Sequence, residues 1–261
     1  MHTLSFAVLA LATAHQALST PLTLIPPRSA SQVSTSKAYR LIVNVTRPAL
    51  DFTPPSHGLE IGRLRDDPSS PTSFRAVSLP AGSGTVFFQT PNPEFPPGTT
   101  NAEYFMYTQA VSDDRKHLQP LQLWDSVGNT GPFETQVRMD LGQNATEGMV
   151  IIPEEEGQSV PRAWPTTQGL FVDYILCNTT TVEGKLTLDV LAWTSWGPDY
   201  SLHVPAGCLH VELIPQCVSD EEAVGDGEAL GDEVKAAWAE AQTIRCYEDV
   251  RGIDWRDVKW P

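Results

Sequence analysis

Carboxylates are the commonest chemistry-bearing side chains in this sequence, with 32 Asp and Glu against 17 Lys and Arg and 6 His. A glycosidase needs two of them held at a fixed separation across a bond. Glu154-Glu155-Glu156 runs into Gly157 and reads as a solvated loop. Asp66-Asp67 and Asp113-Asp114 read as turn residues, because Asp side chains bond their own backbone in turns. Nothing in the spacing marks one pair. Nucleophilic chemistry is no better signposted. There is no G-x-S-x-G, and Gly82-Ser83-Gly84 is a tight loop rather than a strained elbow. None of the four cysteines stands in a C-x-x-C pair, the spacing that zinc and dithiol redox chemistry use. The histidines beyond the N-terminal region are His57, His117, His203 and His210, and no spacing joins them to a serine and an acid.

Metal and ligand chemistry offer three further candidates. Cleavage after Ala14 would make His15 the first residue, where its amine and ring nitrogen could hold copper with a second histidine. That ligand type is similar to the one used by the lytic polysaccharide monooxygenases, but the rest of their pattern is missing. Asp226, Glu228 and Asp232 lie in a Gly-rich acidic stretch of the kind calcium would take, yet the EF-hand spacing is absent and a solvated linker is the better reading. The third candidate is aromatic. Trp193, Trp196 and Tyr200 cluster around Gly197-Pro198, and aromatic faces at a strand end stack on sugars or pack on a partner. No cofactor is expected.

These residues must be positioned outside the cell. Leu4–Ala14 is an apolar run of 11 residues, too short to span a bilayer and the right length for a signal-peptide core. Ala17 and Ser19 suit cleavage before Thr20; Ala12 and Ala14 suit cleavage before His15. Asn44-Val-Thr46, Asn144-Ala-Thr146 and Asn178-Thr-Thr180 are glycosylation sequons. Cys177, Cys208, Cys217 and Cys246 are even in number and predict two disulfides in an oxidising compartment. The net charge of −15 disfavours nucleic acid and anionic membranes, whose phosphates such a surface repels.

The supporting elements read as strands. Pro and Gly make up 22 and 18 of the 261 residues and mostly separate apolar runs. Tyr39, Leu41, Val43 and Val45 fall on one face of a strand, with Asn44 on the other where a glycan would reach solvent. Short strands are predicted at 59–64, 74–79, 85–89, 103–108, 121–124, 133–141 and 149–152. The run 170–177 is apolar enough to be buried on both faces. Lys185–Trp196 alternates, and in Cys208–Ile214 the residues Leu209, Val211 and Leu213 form the inward row, with His210 and Glu212 outward. One helix is predicted, 232–247, with Asp232 as N-cap and Val234, Ala237, Trp238, Ala241 and Ile244 on one stripe. The fold class is therefore mainly β: an antiparallel β-sandwich with one C-terminal α-helix. Its divisions are a signal peptide over 1–19, a flexible leader over 20–36, a sandwich over 37–218, and an acidic linker with the packed helix over 219–261.

The cysteine spacing narrows the three connectivities open to four cysteines. An extended strand from Cys208 covers about 20 Å in six residues, whereas a disulfide needs Cα atoms within about 7 Å, so Cys208–Cys217 is disfavoured. Both remaining pairings clip Cys246 to a strand end. An up-down-up meander would favour Cys177–Cys217 with Cys208–Cys246.

With its apolar leader, its Pro/Ser stretch before Tyr39-Arg40-Leu41-Ile42-Val43 and its late cysteines, the chain resembles uncharacterised families of small secreted ascomycete fungal proteins. The resemblance implies a host- or environment-facing protein and brings no catalytic residues with it. The expectation is an extracellular, non-enzymatic protein that binds a glycan or an extracellular protein partner, with no nucleic acid or membrane partner. A secreted glycoside hydrolase or N-terminal-His copper oxidase is the alternative.

Overall fold

A computed structural model describes residues 33–66, 69–91, 106–124, 134–141, 149–151, 163–165, 172–182, 184–192, 204–225 and 229–253. The strands are β1 (Val33–Ser36), β2 (Ala38–Val45), β3 (Glu60–Arg65), β4 (Phe74–Leu79), β5 (Phe87–Pro91), β6 (Met106–Val111), β7 (Leu118–Pro120) and β8 (Gln122–Trp124). They continue as β9 (Glu134–Arg138), β10 (Met149–Ile151), β11 (Ala163–Pro165), β12 (Val172–Val182), β13 (Lys185–Ala192), β14 (Cys208–Val218) and β15 (Ile244–Tyr247). Two α-helices, α1 (Asp220–Val224) and α2 (Asp232–Glu240), precede β15.

The mainly β class is what the structure has. Its described strands join one hydrogen-bonded network, mixed because β14 and β15 run parallel. Within it β2, β3, β4, β13, β12 and β14 are paired in sequence, and β14 returns to β2, so the ladders close a circuit. The inward rows fill a single core. Tyr39, Leu41, Val43 and Val45 of β2 meet Leu209, Val211 and Leu213 of β14, Leu188 and Val190 of β13, and Leu176 of β12. Strict period-2 alternation is what allows each strand to deliver a complete face to that core.

Both faces of the central strands are covered. Ile42 and Ile214, on the outer face, pack with Tyr247 and Val250, and Val33 and Ile253 lie against them. This second layer is why β2 is buried along nearly its whole length rather than alternating with solvent. Two expected boundaries change in consequence. Val33–Ser36, expected to end a flexible leader, is strand β1 and pairs antiparallel with β15. The expected 232–247 helix stops at Glu240, and Cys246 sits in a strand. The Gln242 amide is taken by the Gln89 carbonyl at 2.9 Å, and the β-branched Thr243 and Ile244 suit the sheet that follows. Helix α2 begins one residue after its N-cap Gly231, so Asp232 lies in the first turn. The expected acidic linker contains α1, whose N-cap Ser219 accepts the Glu222 amide at 3.2 Å. Strand β12 continues through an irregularity to Val182.

The disulfides are Cys177–Cys208 and Cys217–Cys246. This overturns the meander pairing of Cys177 with Cys217. The meander picture placed β14 on the far side of β13, but β14 lies between β12 and β2. Cys177 therefore faces Cys208 directly across the ladder, with Cα atoms 4.1 Å apart. The long strand then carries Cys217 to the opposite end, about 30 Å away in nine residues. There it meets Cys246 of β15. The disfavoured Cys208–Cys217 pairing does not occur.

Candidate functional site

The elements that build the candidate site are the β3–β4 pair and the loops around it. Arg63, Leu64 and Arg65 of β3 lie opposite Ala76, Arg75 and Phe74 of β4. Arg63 and Arg65, two residues apart on one strand, share a face. Over them opens a cleft of about 590 Å³, also lined by Ser83–Val86, by Val111, Ser112, Asp113 and Arg115, and by Glu222 and Ala223 of α1. That volume falls in the range of small-ligand sites.

Glu60, at the start of β3, holds one wall. Its carboxylate is almost fully buried, at 2% side-chain exposure, and accepts the Gly82 amide at 2.9 Å and the Gly84 amide at 2.8 Å. Arg251 donates to the same group from the C-terminal segment, and Arg40 stands 3.5 Å away. Burial alone would raise the Glu60 pKa, but the two amides and Arg251 outweigh it and hold it below the usual value. Gly84 is required by this approach, since a Cβ there would lie 2.5 Å from the Glu60 Cβ.

The three cleft arginines are not equivalent. Arg63 is spent on structure: it donates to the Val111 carbonyl at 2.7 Å, to Gln119, and to Asp113. Glu222 is likewise engaged, by Arg40. Arg65 lies over the Phe74 ring, 5.8 Å from its centroid, and has no carboxylate partner among the described residues. Arg115 has none either, and its backbone stands at φ +60°, the one non-glycine residue of positive φ among those described. That conformation costs an L-residue about 1–2 kcal/mol. Its guanidinium rests against the α1 terminus, where Gly225 at φ +63° leaves room; a Cβ there would come within 3.2 Å of both Arg115 Nη atoms. The cleft thus offers two guanidiniums with no carboxylate partner among the described residues, beside the hydroxyls of Ser83 and Thr85.

A second constellation lies on the outer face of β2, β12 and β14. Thr46 Oγ1 is 3.0 Å from His210 Nδ1, and His210 Nε2 is 3.6 Å from Asp173. This is the hydroxyl–imidazole–carboxylate order of acyl transfer. Thr46 Oγ1, however, also donates to the His210 carbonyl at 3.2 Å, and the carboxylate stands beyond hydrogen-bond length. The row ties strand ends together. Among the described residues, no group of three or more His, Cys, Asp or Glu is placed to hold a metal ion.

The aromatic candidates Trp193, Trp196 and Tyr200 lie outside the described residues, as do Asn144, His15, His203, Trp255 and Trp260. Asn178 is exposed, one residue after the Cys177 bridge. Asn44 does not face solvent as expected. It is buried at 3% exposure, and its Nδ2 donates to Glu212 at 3.1 Å. The physical reason is that β2 is an interior strand, paired along its length with β14. The arginine cleft was missed by sequence reasoning. Arg63 fell on the strand predicted at 59–64 and Arg65 one residue beyond it, and Arg115 was hidden in a turn read for its acids.

The described structure is that of a mainly β, doubly disulfide-bridged protein, and no described helix is long and apolar enough to cross a membrane. The antigenic protein SchS34 of Stachybotrys chartarum is 25% identical to this chain over 230 residues, covering 86% of this chain and 91% of the relative. The similarity to a fungal protein thus extends over most of both chains. No protein-family model matches the chain, and no solved structure does.

Proposed function

We propose that this chain is a secreted extracellular protein that acts by binding rather than by catalysis, and that the arginine-lined cleft is its recognition site. The observation that carries this reading is the pair of arginines, Arg65 and Arg115, that have no carboxylate partner among the described residues and share one cleft of an otherwise acidic protein. Secretion is supported by the apolar N-terminal run, the sequons and the bridged cysteines. The name of the Stachybotrys relative, an antigenic protein, is in keeping with a protein met outside the cell. On this reading the chain belongs with the small secreted proteins of ascomycete fungi, and its ligand is a glycan or an extracellular protein. Trp193, Trp196 and Tyr200 are proposed as an aromatic element of the same binding function.

Expression with the native N-terminus in a secretory host tests the first half. The protein is expected in the medium, beginning at Thr20 or His15 by mass spectrometry. A glycan array and affinity capture from extracellular fluid test the second half, with Trp196→Ala expected to lose a glycan signal. Retention in the cell with an intact N-terminus would overturn secretion. Absence of any retained glycan or partner would overturn binding.

A further inference from the structure

We infer that the cleft takes an anionic saccharide, its oxyanion held between Arg65 and Arg115 and its hydroxyls met by Ser83 and Thr85. This inference rests on the proposal that the cleft is the binding site and adds the chemical class of the ligand. A guanidinium presents a planar fork of donors that fits the two oxygens of a carboxylate, sulfate or phosphate. Arg63 is the poorer candidate, because three of its five donors are already given to Val111, Gln119 and Asp113. Both acids lining the cleft are engaged as well, Asp113 by Arg63 and Glu222 by Arg40. The charged groups of the lining that have no ion-pair partner among the described residues are therefore cationic.

The chain as a whole carries −15, which would repel an anion at long range. That field is screened beyond about 10 Å at 0.1 M salt, so the two nearby arginines decide the local potential. The backbone of Arg115 adds an independent indication. Glycine would occupy a φ of +60° without cost, yet the position carries an arginine, and it is one of the residues that line the cleft. The size of the cleft favours a saccharide of two or three rings over a protein surface, which needs a broad and flatter patch.

The test is titration of the full mature protein, followed by amide chemical-shift mapping, with four probes: digalacturonate, glucose 6-phosphate, neutral galactobiose and a short poly-glutamate peptide. At least one anionic sugar is expected to shift the amides of residues 63–65, 83–86 and 111–115, while galactobiose leaves them unmoved. The first two probes separate a carboxylate from a phosphate source. Arg65→Gln and Arg115→Gly should each weaken binding about tenfold or more, the loss expected for one charge-assisted contact. Arg115→Gly removes the guanidinium while easing the backbone, so it keeps the fold; unchanged far-UV circular dichroism and melting temperature verify this. Galactobiose or poly-glutamate binding as tightly as the acidic sugars would overturn the anionic-saccharide assignment while leaving the cleft as a binding site. Shifts confined to residues elsewhere, or none with any probe, would overturn the cleft itself.

Discussion

Replacing Glu60 by Gln should destabilise the protein far more than an isosteric change usually does. The side chain is 2% exposed and each carboxylate oxygen accepts a different loop amide, Gly82 on Oε1 and Gly84 on Oε2. Glutamine keeps one acceptor and turns a donor toward the other amide. One charge-assisted bond is lost outright, at about 1.5–3 kcal/mol. Arg251 also loses its counter-ion, but it is 34% exposed, so that contact adds at most about 1 kcal/mol. The expected cost is about 3 kcal/mol at neutral pH, a large part of the 5–15 kcal/mol that holds an ordinary domain together. Urea unfolding with the disulfides intact measures it. The pH dependence has a definite sign. Glu60 is depressed in the folded state below the ordinary 4.5, so its contribution is complete above that value and is lost as pH falls through the folded pKa. The gap between wild type and variant should therefore narrow on acidification. A loss below about 1 kcal/mol at pH 7, or a gap that widens as pH falls, would refute the idea that Glu60 clamps the loop.

Other consequences follow from the same structure. The Tyr174 hydroxyl is buried without a hydrogen-bond partner among the described residues, and burial pushes its pKa up, so Tyr174→Phe should raise stability by about 1 kcal/mol in the same urea assay. Tyr39→Phe should instead lower it, because the Tyr39 hydroxyl is bonded to Thr108 at 3.1 Å. Replacing Cys217 and Cys246 together by serine opens a loop of 29 residues and should cost about 3–4 kcal/mol, read as a lower urea midpoint and faster hydrogen exchange in β15. In a secretory host, Asn178→Gln should reduce the endoglycosidase-sensitive mass shift by one glycan, because Asn178 is exposed. Asn44→Gln should leave that shift intact and reduce stability, since Asn44 is bonded to Glu212 inside the sheet. A glycan mapped to Asn44 by peptide mass spectrometry would contradict its burial.

Much of the local architecture was legible in the residues. Phe74–Leu79 is a strand with the bounds that its turn residues imply, and Leu209, Val211 and Leu213 face the core while His210 and Glu212 face out. Where the reading failed, it failed on partners. Ile42 is as apolar as Leu41, but nothing local shows that a second layer of Tyr247 and Val250 waits on its side of the sheet. The helix was overextended for the same reason. Ile244 continues the apolar stripe of α2, and only its pairing with Ser36 makes it a strand residue.

The sequence by itself determined the class of fold, the face each strand turns inward and the supply of bridging cysteines, because side-chain periodicity and turn chemistry are properties of neighbouring residues. The tertiary structure decided which strands lie side by side. Placing β14 between β12 and β2 set Cys177 against Cys208 and buried Asn44. Folding the 111–115 loop and α1 over β3 brought Arg115 to the cleft of Arg65. Ladder order depends on contacts far apart in the chain, and one-dimensional spacing does not encode it.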